Sequence, residues 1–169
     1  MAEVMQWLEE RAPGFAQLSD GERNAIVEFA FLWSLFESRV LDTAGSAARI
    51  CAAVDAWREH GALDATICSE ELEYFRERYF VNGSFTYHFE HLHLRNGDRE
   101  PLVRQVLDGS NREPGDCLAA VLIIVLRYRN NLFHGIKWQY QLVGQFENFT
   151  HANSVLRKVL ERHGRLAEG

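Results

Sequence analysis

Arg129 and His134 are the pair whose types and spacing could do chemistry, and they stand with Asn130 and Asn131 in the string Arg127-Tyr128-Arg129-Asn130-Asn131-Leu132-Phe133-His134-Gly135. Histidine can both take and give a proton near neutrality at its ordinary pKa. The planar fork of an arginine matches a phosphate that is gaining negative charge. Asparagine amides can orient a ribose or a phosphate without adding charge. The set therefore suits metal-free transfer at phosphorus. His134 would move protons, Arg129 would stabilise the pentavalent state, and Asn130 and Asn131 would support it. Arg127 and Lys137 flank the string as substrate-binding cations. From Cys117 to Phe146 there is no Asp or Glu, although the whole chain carries a net charge of -6. A basic corner on an acidic protein fits a small anionic ligand or a short piece of nucleic acid better than a long duplex.

The element that must present these groups is the most apolar run of the chain, Cys117 to Leu126 (CLAAVLIIVL). Asp116 reads as its N-cap, and a helix over 116–133 results. Leu118, Val121, Leu122, Val125 and Leu126 form one face while Ala119, Ala120, Ile123 and Ile124 cover the rest. A helix apolar on every side is surrounded by others. Five residues along a regular helix turn by about 500°, leaving Arg129 and His134 about 140° apart around the axis. They converge only if the helix breaks near Asn131–Gly135 or if two copies of the motif meet.

The arginine, the four-residue gap and the histidine resemble the Arg-x4-6-His signature of the HEPN superfamily, small α-helical domains many of which are metal-independent ribonucleases. The fuller string RNNLFHG is similar to the Apea-like branch. The resemblance implies a homodimer in which two protomers form one composite cleft, and cleavage of RNA, in unpaired form, by attack of the ribose 2'-hydroxyl on the adjacent phosphorus without a cofactor. It also implies a carboxylate from another helix beside the motif, for which Glu37 is the candidate. The wider setting it implies is prokaryotic defence or a toxin system with a regulatory or antitoxin protein. Toxins paired with a nucleotidyltransferase antitoxin carry a tyrosine two residues after the histidine. Here that residue is Ile136, so silencing by adenylylation is not expected. Two other readings stay open: an inactive HEPN domain that binds RNA or nucleotide or scaffolds a partner, and a plain interaction bundle whose arginine and histidine only cap a helix.

The rest of the chain reads as a frame for that helix. With 169 residues, 47% hydrophobic and 25% charged, one all-α domain over 1–169 is expected, a bundle of four to five main helices plus short ones. Residues 1–12 suggest a helix with Val4, Trp7 and Leu8 inward, stopped at Pro13-Gly14. Ser19 and Glu22 form a capping box for a helix with Ile26, Ala30, Trp33, Glu37 and Val40 on its apolar face. Glu37 there must find a partner or lean out to solvent. Helices follow from Ala47 to His60, from Ser69 through Tyr79, and from Glu100 to Leu107, and the last runs from about Trp138 to Arg162 with Leu142, Val143, Phe146, Phe149, Leu156 and Leu160 inward. In the segment Phe85 to Gly97, Phe85, Tyr87, Phe89 and His91 alternate like a strand but show no evident pairing partner, so the segment reads as an extended or irregular connection carrying some helix.

The odd set Cys51, Cys68 and Cys117 lacks metal spacing and reads as reduced and buried. His88, His91 and His93 match no standard zinc pattern, so no metal is expected; His151 and His163 read as solvated. With no basic, apolar leader and no membrane-length run in the sequence, a cytoplasmic chain is expected, where the sequon at Asn148-Phe149-Thr150 would go unused.

Overall fold

A computed structural model describes residues 2–134, 142 and 144–166 of the chain. Within them run α1 (Ala2–Arg11), a 3-10 turn (Phe15–Gln17), α2 (Asp20–Val40), α3 (Ala47–Glu59), α4 (Ser69–Tyr79), β1 (Phe80–Val81), β2 (Ser84–Phe85), α5 (Tyr87–Glu90), α6 (Glu100–Leu107), α7 (Pro114–Phe133) and α8 (Phe146–His163). The class is all-α, with α2, α3, α4, α7 and α8 as the main helices. No helix among the described residues is long and apolar enough to cross a membrane.

The buried helix begins earlier than its apolar run suggests. Pro114 occupies its first turn, where a missing N–H costs nothing and the fixed φ already suits a helix. Glu113, not Asp116, is the N-cap, and its carboxylate accepts from the Asp116 amide at 2.7 Å. From Gly115 to Tyr128 every residue but Asp116 is buried, because α3, α4, α6 and α8 surround α7. Each fully buried Leu, Ile or Val there contributes about 1.5–3 kcal/mol of transfer free energy. Truncating one of them, Leu122→Ala for example, costs about 2–5 kcal/mol. The three cysteines are buried thiols.

The capping box at the start of α2 forms as expected, Glu22 N donating to Ser19 Oγ and Ser19 N to Glu22 Oε2. Glu22 also accepts from the Gly144 amide at 2.9 Å, which fastens the approach to α8 onto the start of α2. These contacts hold the Glu22 carboxyl below its ordinary pKa: Ser19's amide contributes most, burial opposes, and Gly144 adds to the lowering. Ala25, Phe29, Trp33 and Phe36 are the buried face, and Phe29 meets Phe149 of α8 with ring centroids 5.0 Å apart.

Several expectations are corrected. Val4 and Trp7 of α1 are 62% and 59% exposed; Met5, Leu8 and Ala12, at spacings of three and four, turn inward on a small second core of Phe15, Leu18 and Leu142. The last helix starts at Phe146, itself 41% exposed, and Leu142 belongs to that second core instead of a helix. The proposed helical start at 138–141 and Val143 lie outside the described residues. The strand-like residue Phe85 does find a partner: it pairs with Phe80 across Asn82-Gly83. Both turn residues have positive φ, 52° and 77°, the geometry for which Asn-Gly is favoured in two-residue hairpins. His151 stacks on Tyr74 at 4.0 Å and His163 on Trp57 at 3.8 Å, so neither is simply solvated.

Candidate functional site at the exit of the buried helix

Arg129 lies on the last turns of α7, with 29% of its side chain exposed. Its Nη2 is 3.6 Å from Glu37 Oε2 on α2, and its Nη1 donates to Asn130 Oδ1 at 3.0 Å. The guanidinium carbon sits 5.8 Å from the Phe133 ring centroid. Its Nε is buried without a hydrogen-bond partner among the described residues. Glu37 is held from behind as well: Trp33 Nε1 donates to it at 3.2 Å and the Gly45 amide at 2.9 Å. The carboxylate that sequence placed on an apolar face has thus found partners, and the pair it forms joins α2 to the motif. Gly45 is needed for this close approach, since a Cβ there would run into the Glu37 carboxylate.

His134 is the C-cap of α7, with its amide donating to Asn130 O at 2.9 Å and its side chain exposed. Because α7 is regular through Phe133, Arg129 and His134 keep the separation of about 140° around the axis. The break that could bring them together within one chain does not occur before His134, and Gly135 lies outside the described residues. Asn130 is half-buried beside Arg129.

Arg127, expected to bind substrate, and Asn131, expected to support the site, are both buried away from Arg129. They are i and i+4 on α7, so they share a face, and that face is turned inward. Arg127 is 1% exposed; its Nη1 pairs with Asp98 Oδ2 at 3.1 Å, its Nε donates to Leu92 O at 3.1 Å and its Nη2 to Asn131 Oδ1 at 3.4 Å. Asn131 Nδ2 donates to the same Leu92 carbonyl at 3.2 Å and to His91 O at 3.4 Å. Burial pulls the Arg127 guanidinium below its ordinary pKa, and the Asp98 carboxylate opposes that. Together they clamp the 91–98 loop to α7. Lys137, the other expected substrate-binding cation, lies outside the described residues.

The clamp brings the histidine segment to the motif helix, which sequence reasoning missed. The His91 ring lies 4.1 Å from Tyr87 and 5.8 Å from His93, with Nδ1 2.9 Å from Tyr87 O. Among the described residues no group of three His, Cys, Asp or Glu is placed to hold a metal ion. Behind Arg129, the buried hydroxyls of Tyr79 and Tyr128 bond to one another, and Tyr128 and Tyr74 donate to Asn148 Oδ1 at 3.2 and 2.8 Å. Burial pushes both Tyr79 and Tyr128 well above the ordinary phenol pKa. Asn148 is 3% exposed, so the sequon is an interior hydrogen-bond hub in this fold.

Comparison with protein-family models, with curated proteins and with solved structures gives no match.

Proposed function

We propose that the chain is a HEPN-type, metal-independent endoribonuclease that works as a homodimer. Its substrate is unpaired RNA. Attack of the ribose 2'-oxygen on the adjacent phosphorus expels the 5'-oxygen and leaves a cyclic phosphate. His134 takes the proton from the 2'-hydroxyl or, when protonated, gives one to the leaving 5'-oxygen, with water exchanging the other proton; Arg129 neutralises the pentavalent centre, and Asn130 holds the guanidinium and the phosphate edge. The observation that carries this reading is the Arg129–Glu37 pair at 3.6 Å on the last turns of a buried helix that ends in an exposed His134. A guanidinium already oriented by a fixed carboxylate loses little freedom on meeting a phosphate. The divergence of the two groups within one chain is what a site assembled from two copies resolves. A cytoplasmic role in prokaryotic defence or toxicity, under control of a regulatory or antitoxin protein, belongs to the same proposal.

The competing reading is an inactive HEPN domain that binds RNA or nucleotide or scaffolds a partner, and one observation favours it: Glu37 already neutralises Arg129. One experiment separates them. RNA incubated with the protein in EDTA is expected to be cut, and the cutting to disappear in His134→Ala and Arg129→Ala variants of unchanged helicity. Binding without cutting would replace the nuclease reading with the inactive one, and neither binding nor cutting would remove both.

A further inference from the structure

We infer that the cavity over the 94–104 segment is a second phosphate site, which grips the backbone of single-stranded RNA away from the scissile bond. The inference rests on the proposed RNA substrate but not on cleavage. The cavity is open, about 540 Å³, and is lined by Arg95, Arg99 and Arg104 with Asn96, Gly97 and Glu100 among its other walls. Three arginines against the one carboxylate of Glu100 leave this lining net positive on an acidic chain.

The counter-charges in the vicinity are already committed. Asp98 accepts from the Arg95 amide at 2.7 Å and pairs with the buried Arg127. Glu100 is paired with Arg104 at 2.7 Å. Among the described residues no carboxylate lies within ion-pairing distance of Arg95 or Arg99, and both are exposed. Arg104 is fixed for the task, with its guanidinium carbon 4.5 and 4.6 Å from the ring centroids of Phe85 and Phe89.

The backbone adds donors. α6 opens at the cavity with Arg99 as its N-cap, and no side chain caps its first amides. Pro101 has no N–H, so the Glu100 and Leu102 amides and the positive end of the helix are what an anion can meet there. Arg99 itself has φ 54°, an uncommon conformation for a residue with a side chain. It is held because Asp98, gripped by Arg127, fixes the turn before it. The same clamp ties the cavity to the motif helix. Arg127 and His134 are separated by about 10 Å of helix axis, a span that a short run of nucleotides covers.

The test uses the full chain carrying His134→Ala, so that RNA survives the measurement, and a fluorescent single-stranded oligoribonucleotide titrated at several salt concentrations. Arg95→Gln combined with Arg99→Gln is expected to weaken binding at least about tenfold at low salt. It should also flatten the dependence of log affinity on log salt by about 0.7 for each phosphate that is no longer neutralised. Arg39→Gln, an exposed arginine on α2, serves as the charge control and should leave the slope as it was. Affinity and slope unchanged in the double variant, or lowered equally by Arg39→Gln, would overturn the site. Absence of any RNA binding by the parent would overturn it too. Loss of binding in the double variant, in a protein whose unmodified form never cuts, would keep the site and remove the nuclease reading.

Discussion

Glu37 Oε2 stands 3.6 Å from Arg129 Nη2 while Trp33 Nε1 and the Gly45 amide grip the same carboxylate from behind. The pair is partly exposed, so its direct contribution to stability is small, about 0–1 kcal/mol. Its importance lies in direction. Without Glu37 the guanidinium could rotate about four side-chain bonds; with it, one nitrogen is held toward α2 while another donates to Asn130.

Two substitutions of Glu37 should therefore separate positioning from folding. Glu37→Gln removes the charge and keeps one of the two hydrogen bonds, because Trp33 and Gly45 donate to different carboxylate oxygens and an amide offers only one acceptor. RNA cleavage is expected to fall about ten- to a hundredfold, with a loss of about 1 kcal/mol in urea unfolding from the one stranded donor. Glu37→Ala strands both donors and should in addition cost about 1–3 kcal/mol in urea unfolding. Gly45→Ala, which displaces the carboxylate without removing it, should resemble the alanine variant. Parental cleavage by Glu37→Gln would show that the carboxylate has no part in orienting Arg129.

Much of this frame was legible in the sequence, because periodicity and caps are local. The box at Ser19–Glu22, the helix from Ala47, the helix over Glu100–Leu107 and the all-round apolar α7 could each be read from a few neighbours. What escaped depends on partners far along the chain. Arg127 looked like a surface cation because nothing local says that Asp98 waits for it. Glu37 could be seen to need a partner, but not that Trp33, Gly45 and Arg129 would all supply one. The hairpin was missed because its first strand is two residues at the tail of a helix, although Asn82-Gly83 announced the turn. On α1 the apolar residues do not all share a face, and Trp7 drew the inward side to the wrong stripe.

The interior ion pair gives the second prediction. Arg127 is 1% exposed and Asp98 13%, so removing the carboxylate leaves a charge with few ways to be hydrated. Asp98→Ala is expected to destabilise the fold by about 3–5 kcal/mol and to loosen the 91–98 loop, visible as faster amide exchange there than in α8. A destabilisation under about 1 kcal/mol would mean that water reaches Arg127.

The proposed homodimer gives the third. If one protomer supplies the arginine and its partner the histidine of a working site, two dead variants should complement. Mixing Arg129→Ala with His134→Ala chains after partial unfolding and refolding together is expected to restore cleavage that neither homodimer shows, since the mixed dimer carries one intact pair. No recovery, in a mixture whose mixed dimers are demonstrated by mass, would place both groups of a working site on the same chain and contradict the separation that α7 imposes.

The last prediction concerns acid. The His163 ring lies flat on Trp57 at 3.8 Å, and burial, with a smaller push from the Arg162 charge, lowers its pKa from the ordinary 6.5. Below 6.5 the unfolded chain binds a proton that the folded chain resists, so stability rises with pH through this window and is lost as pH falls. The carboxyls lowered by hydrogen bonds, such as Glu22 with an ordinary value of 4.5 and Asp108 with 3.8, begin to act only in more acidic solution, so the two contributions are separated along the pH axis. The thermal midpoint of the parent should fall between about pH 7.5 and pH 5.5, and His163→Gln, which cannot take up the proton, should show a smaller fall over the same interval. An equal fall in both proteins would assign the acid sensitivity to another group and leave the Trp57 stack indifferent to the charge of its partner.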